Sequence, residues 1–221
     1  MPQPGGPGLP RMPRWSTLPA HGHDQRASQM TATFLEQLRD ELPIRLQAYE
    51  LAGGEAGLVI ADAGGAAAGE VAARLDATAR GFLARRSAVL AFVDARPASA
   101  LAWLADDPDV AVLRKDCVNG FVGAIEAVHH GVHGTTRNRV VDWVNAHRLR
   151  ALVVVGMGTD SCVLEFVLSM LSARNHGLVP TLRDIVVLEP ATAAPQPTAH
   201  HLGLHLMAAR GALLAGELSG T

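Results

Sequence analysis

At 221 residues the chain is long enough for one α/β domain with a full core and short for two. Its 19 Lys+Arg stand against 21 Asp+Glu for a net charge of −2, and the basic residues are scattered, so no nucleic-acid partner is expected. Two cysteines, Cys117 and Cys162, suit a reduced, cytoplasmic compartment better than a disulfide scaffold, and neither a bilayer-length apolar run nor an export signal stands out, so no membrane partner is expected either.

Residues 1–28 begin with a run rich in proline and glycine and read as a flexible N-terminal arm. Residues 29–55 read as an N-terminal helical extension: from about 31 or 33 to 49, Phe34, Leu35, Leu38 and Leu42 share an apolar face, with Pro43 bending or splitting the helix and Gly53 and Gly54 ending it. The rest, 56–221, alternates. Strands are expected at 57–61, 88–93 and 110–114, with helices at 69–85 and 98–105 between them. A helix from 120 to about 128 follows, interrupted at Gly131 and Gly134 and resuming through Val140, Trp143 and Val144. Then come a strand at 152–155, a helix led by Cys162, a strand at 185–188 and a helix at 198–215. This order implies three layers, α/β/α, around a mostly parallel sheet.

The segment from Val153 to Val163 concentrates the chemistry. A buried strand runs through Gly156-Met157-Gly158 into a helix whose first turn holds Cys162, where free backbone N–H groups and the helix dipole favour a negative sulfur. In a parallel α/β sheet, reactive groups gather at the carboxyl ends of strands. Asp62, Lys115 and Cys162 end three different predicted strands. Together they would form a nucleophilic site: the lysine stabilises a thiolate, the carboxylate takes the thiol proton and later delivers it, and the turn amides hold a developing oxyanion.

The pattern resembles the isochorismatase-like cysteine hydrolases, which include nicotinamidases and N-carbamoylsarcosine amidohydrolases. The resemblance spans about residues 56–216 and rests on Gly156-Met157-Gly158-Thr159-Asp160-Ser161-Cys162-Val163, on Lys115 with Phe121 six residues later, and on the apolar strand ending in Asp62. It implies an isochorismatase-like fold, Cys162 as nucleophile, Asp62 as general base and acid, Lys115 as charge partner, and oxyanion donors at Gly158, Thr159 and Cys162. It also implies a non-proline cis peptide between Gly156 and Thr159 and a homodimer or homotetramer. Departures are visible too. Asp62 is followed by Ala63-Gly64-Gly65-Ala66 rather than a Gln-x-Asp-Phe type run, and Asp94-Ala95-Arg96 replaces an Asp-x-His metal cluster, which speaks against nicotinamide as substrate and against a bound metal. No cofactor is expected.

The expected activity is therefore cleavage of a small-molecule amide or carbamoyl C–N bond through a thioester on Cys162. The alternatives are vinyl-ether hydrolysis of an isochorismate-like substrate, or an inactive binding or assembly protein on the same fold. Phe121, Arg96 and Trp103 are candidate substrate contacts. Gly156-Met157-Gly158 does not extend to a dinucleotide fingerprint, because Ser161 occupies the third glycine position. His129 and His133, at helical i and i+4 spacing, and His200, His201 and His205, opening the last helix, read as solvated helix faces.

Overall fold

The structure is a computed structural model that describes residues 24–52, 54–63, 69–93, 99–130 and 133–220. Its elements in chain order are α1 (Asp24–Glu41), β1 (Gln47–Glu50), β2 (Ala56–Ile60), α2 (Glu70–Ala84), β3 (Val89–Val93), a 3-10 helix (Ser99–Ala105), β4 (Val110–Arg114), α3 (Gly120–Gly123), β5 (Ile125–His130), β6 (His133–Asn138), α4 (Arg139–Ala146), β7 (Ala151–Met157), α5 (Cys162–Asn175), β8 (Asp184–Ala193), α6 (Pro197–Ala209) and β9 (Leu213–Ser219).

Seven strands form one parallel sheet in the order β1-β9-β8-β7-β2-β3-β4. β2 and β3 are buried along their whole length, as expected of parallel strands covered on both faces, which is why Leu58-Val59-Ile60 and Val89-Leu90-Ala91-Phe92-Val93 are unbroken apolar runs. Alternate side chains feed two cores. Val59, Phe92, Val154, Phe166 and Met170 pack on one face, and Leu58, Ile60, Leu75, Phe82 and Val153 on the other. Phe92 and Phe166 meet edge to face, with ring centroids 5.6 Å apart. α5 is apolar around much of its circumference, and Val163, Phe166, Val167 and Met170 are wholly buried, so packing anchors the helix that carries Cys162.

Three stretches differ from the sequence-based expectation. The first helix begins at Asp24, inside the segment read as an arm, and ends at Glu41 rather than near Tyr49. Pro43 disfavours helical backbone at Leu42 and lacks an N–H to continue the ladder. Beyond it, Gln47–Glu50 joins the sheet edge parallel to β9, and the Tyr49 hydroxyl donates to Asp184 Oδ2 at 2.7 Å. The segment read as an N-terminal helical extension contacts the rest of the fold: Leu38 is buried, and the Leu42 carbonyl accepts from His201 Nε2 of α6 at 2.8 Å.

The helix expected from residue 120 stops at Gly123, and an antiparallel hairpin, β5–β6, replaces its continuation. His129 and His133 therefore lie on opposite strands rather than one helix face. Asn119 and Asn138 cap the flanking helices by accepting N–H groups from Phe121 and Val122, and from Val140 and Val141. Finally, α6 ends at Ala209, and Gly211, at φ 97°, turns the chain into β9, where the sequence had suggested helix up to residue 215.

Candidate active site

Strand order reverses direction between β2 and β7: the chain runs outward through β3 and β4 on one side and through β8 and β9 on the other. A crevice at the carboxyl ends of strands belongs at such a switch point. Asp62 follows β2 there and Cys162 opens α5 after β7. Backbone contacts clamp Asp62: Ala61 N–H donates to Val155, and Met157 N–H donates to the Asp62 carbonyl at 3.1 Å. Only glycine suits position 156, where φ is 138° and a Cβ would stand 2.8 Å from Asp62 N.

Lys115 directly follows β4, two strands from β2, a span of about 10 Å that calls for a long side chain. Its Nζ donates to Asp62 Oδ2 at 2.5 Å and to Cys162 Sγ at 3.0 Å. The Lys115 and Asp62 side chains are only 8% and 14% exposed, so their charges are poorly screened. Burial alone would lower the Lys115 pKa, but its hydrogen bonds and charge interactions with Asp62 and Cys162 raise it overall. For Cys162, burial is the largest influence and pushes the thiol up; Asp62 adds to this and Lys115 opposes it without reversing the net direction. Burial and Asp62 together thus favour the thiol over the thiolate, against the influence expected from its helix position.

The turn before Cys162 contains no cis peptide, in contrast to the bond implied by the family resemblance; no described peptide bond is cis. Two glycines, Gly156 at φ 138° and Gly158 at φ 76°, reverse the chain instead. The oxyanion donors also need correction. Gly158 N–H and Thr159 N–H both donate to the Ala193 carbonyl, at 2.8 and 3.0 Å. Gly158 O in turn accepts from Ser161 and Val163 N–H groups, at 3.0 and 2.9 Å. The Cys162 N–H lies between those two donors at the start of α5, where helical donors lack intrahelical partners, and is the turn amide best suited to a developing charge.

The isochorismatase domain model matches residues 77–216 of this chain. The chain belongs to the isochorismatase family. Nicotinamidase 1 of Arabidopsis thaliana is 35% identical over 179 residues, covering 64% of this chain and 70% of that protein. Among solved structures, the nicotinamidase PncA of Bacillus subtilis has a TM-score of 0.56 at 17% identity and covers 73% of this chain and 99% of that one. YcaC of Escherichia coli, described as an octameric hydrolase of unknown specificity, has a TM-score of 0.52 at 18% identity, covering 77% of this chain and 79% of that one. The protein is an isochorismatase-family hydrolase with that family's α/β architecture, and no described helix is long and apolar enough to cross a membrane.

The three candidate substrate contacts fare differently in this isochorismatase-family chain. Trp103 donates its indole N–H to Asp76 at 2.7 Å with Arg80 4.2 Å above its ring, which ties it to α2. Phe121 lines a groove of about 530 Å³ with Leu168, Ser172 and Leu178, on the surface formed by α3 and α5. Arg96 lies outside the described residues, as do Asp94 and Gly64 to Ala66. Among the described residues no group of three His, Cys, Asp or Glu side chains could hold a metal ion.

The parts played by His200 and Glu189 escaped the sequence reading. Thr159 is fully buried, and its Oγ1 lies 2.9 Å from Nδ1 of His200, a residue taken for part of a solvated face. His200 Nε2 lies 3.4 Å from Glu189 Oε1. That hydrogen bond is the largest influence holding the Glu189 carboxyl below its ordinary range. Glu189 and His200 also line a cavity of about 570 Å³ beside Arg39, Ile44 and His201, and none of Asp62, Lys115 or Cys162 borders it. A histidine triplet at a helix start carries no signal that one member reaches a threonine 41 positions earlier.

Proposed function

We propose that this hydrolase cleaves the C–N bond of a small primary amide through a thioester on Cys162. One observation carries the reading: a buried ammonium, that of Lys115, contacts both the Asp62 carboxylate and the Cys162 sulfur at the sheet's switch point. The raised thiol makes a base necessary. As Sγ attacks the carbonyl carbon, its proton passes to Asp62, and the carbonyl oxygen gathers charge facing the Cys162 N–H. Asp62 then gives the proton to the departing nitrogen, the C–N bond breaks and ammonia leaves. Water, losing a proton to the same carboxylate, attacks the thioester, and the acid departs as the thiol is restored. Lys115 stays charged throughout and offsets the sulfur's negative charge as it forms.

Similarity to a nicotinamidase supports a carboxamide substrate and puts nicotinamide first in a test panel, while the sequence departures at 63–66 and 94–96 speak against nicotinamide itself. Ammonia release from nicotinamide, aliphatic carboxamides and carbamoyl compounds decides among them. Cys162→Ala should reduce turnover of the best substrate to background, and Asp62→Asn should lower it about 10²–10⁴-fold. Unchanged hydrolysis by Cys162→Ala would overturn the thioester. Loss in Asp62→Ala alone would point to acid catalysis of the vinyl-ether kind.

The same reading includes a homodimer or homotetramer. Phe34, Val122 and Leu178 are each more than half exposed, and the octameric YcaC supports assembly on this fold. Light scattering of the full chain should return at least twice its own mass; a monomer at micromolar concentration would overturn the expectation.

A further inference from the structure

We infer that His200, held by Glu189, is a positioning residue that fixes the nucleophile turn through the buried hydroxyl of Thr159; this rests on Cys162 being the nucleophile. A carboxylate only accepts, so His200 Nε2 carries the hydrogen that faces Glu189. In the neutral imidazole Nδ1 then accepts, and Thr159 Oγ1–H donates to it at 2.9 Å. The chain of contacts thus has one consistent direction, from Thr159 through the ring to Glu189.

The local backbone is arranged around this contact. β8 pairs with β7 up to Val187, breaks register, and rejoins with Thr192 opposite Gly156 and Ala193 opposite Met157. Glu189 and Pro190 lie in that irregularity, where a residue without an N–H is tolerated, and the Thr192 hydroxyl closes it by donating to the Glu189 carbonyl at 2.9 Å. β8 therefore supplies two supports: the Glu189 carboxylate for His200 from the bulge, and just beyond it the Ala193 carbonyl that takes the Gly158 and Thr159 amides. α6 supplies a third. Gly203, one turn beyond His200, presses so closely on the turn that a Cβ there would stand 2.5 Å from the Thr159 carbonyl oxygen. Backbone bonds hold Thr159 from one side, and His200 holds its side chain from the other. Moving Thr159 swings Gly158 O, which accepts from both neighbours of Cys162, and so re-aims the Cys162 N–H.

The test uses two reactions of one sulfur, in a Cys117→Ser background so that only Cys162 reports. With 4-nitrophenyl acetate, the S–C bond forms, the ester C–O bond breaks through an oxyanion, nitrophenolate leaves and the thiol proton passes to Asp62. With iodoacetamide, sulfur displaces iodide and no oxyanion forms. Thr159→Val and His200→Ala should each slow acylation about 10- to 100-fold, while alkylation stays within about threefold. Thr159→Ser should recover most of the acylation rate. His200→Ala should add little to Thr159→Val, since it acts through that hydroxyl. Equal slowing of both reactions, no slowing of acylation, or additive losses in the double variant would overturn the inference. Wild-type Cys162 that is not acylated at all would instead overturn its role as nucleophile.

Discussion

Replacing Gly203 with alanine tests how closely α6 controls the reaction. The added methyl would meet the Thr159 carbonyl oxygen at 2.5 Å, the Thr159 carbonyl carbon at 2.9 Å and Asp160 Cα at 3.2 Å. All three are backbone atoms, so no side-chain rotation relieves the overlap. Ordinary contact would require the helix or the turn to shift by a large fraction of an ångström. Overpacking of this kind costs about 1–3 kcal/mol, and alanine in place of a mid-helix glycine returns roughly 0.5–1 kcal/mol, so the net loss of stability should be about 0–2.5 kcal/mol. Catalysis has no such compensation, because a misplacement of about 1 Å can cost on the order of 10²-fold. Denaturant unfolding and ammonia release, measured on the same preparation, separate the two effects. Gly81→Ala is the control: in α2 its methyl would meet only the flexible end of Arg85 at 3.5 Å, so it should stabilise by about 0.5–1 kcal/mol and leave turnover unchanged. If Gly203→Ala kept turnover within twofold of wild type, α6 would not be setting the turn.

Ultraviolet titration of the Cys162 thiolate in a Cys117→Ser background should move in opposite directions in two variants. Asp62→Asn removes a group that raises the thiol pKa and leaves Lys115 to lower it, so the midpoint should fall below wild type; Lys115→Met removes the lowering influence and should raise it. A shift in the same direction in both would contradict the assigned charges. Lys115→Met should also destabilise the fold by about 3–5 kcal/mol, as expected when one member of a buried ion pair is removed; a loss under 1 kcal/mol by denaturant unfolding would mean the pair is effectively solvated.

What could be read from the residues follows from what surrounds them. β2, β3 and β7 are legible because two-sided burial demands near-continuous apolar runs, β4 keeps an apolar run although it is only partly buried, and Asp62, Lys115 and Cys162 are conspicuous at or just beyond their ends. β1 has mostly exposed side chains and only four residues, so nothing in Gln47–Glu50 announces a strand. β9 hides because Ala212-Leu213-Leu214-Ala215 continues the apolar composition of α6, and only Gly211 marks the break. The hairpin β5–β6 is polar on much of its surface and has no strong period. The link from Glu189 through His200 to Thr159 depends on a bulge in β8, a three-dimensional displacement without a linear pattern.

The edge strand β1 carries a consequence for handling the protein. Because Gln47–Glu50 covers β9, trimming the chain back to just before β2 would uncover a partly apolar rim with an open row of amides and carbonyls, ready to recruit other chains. The N-terminal segment thus doubles as a guard against aggregation, and its own brevity, irregular register at Gln47 and terminal Glu50 keep it from becoming the next sticky margin.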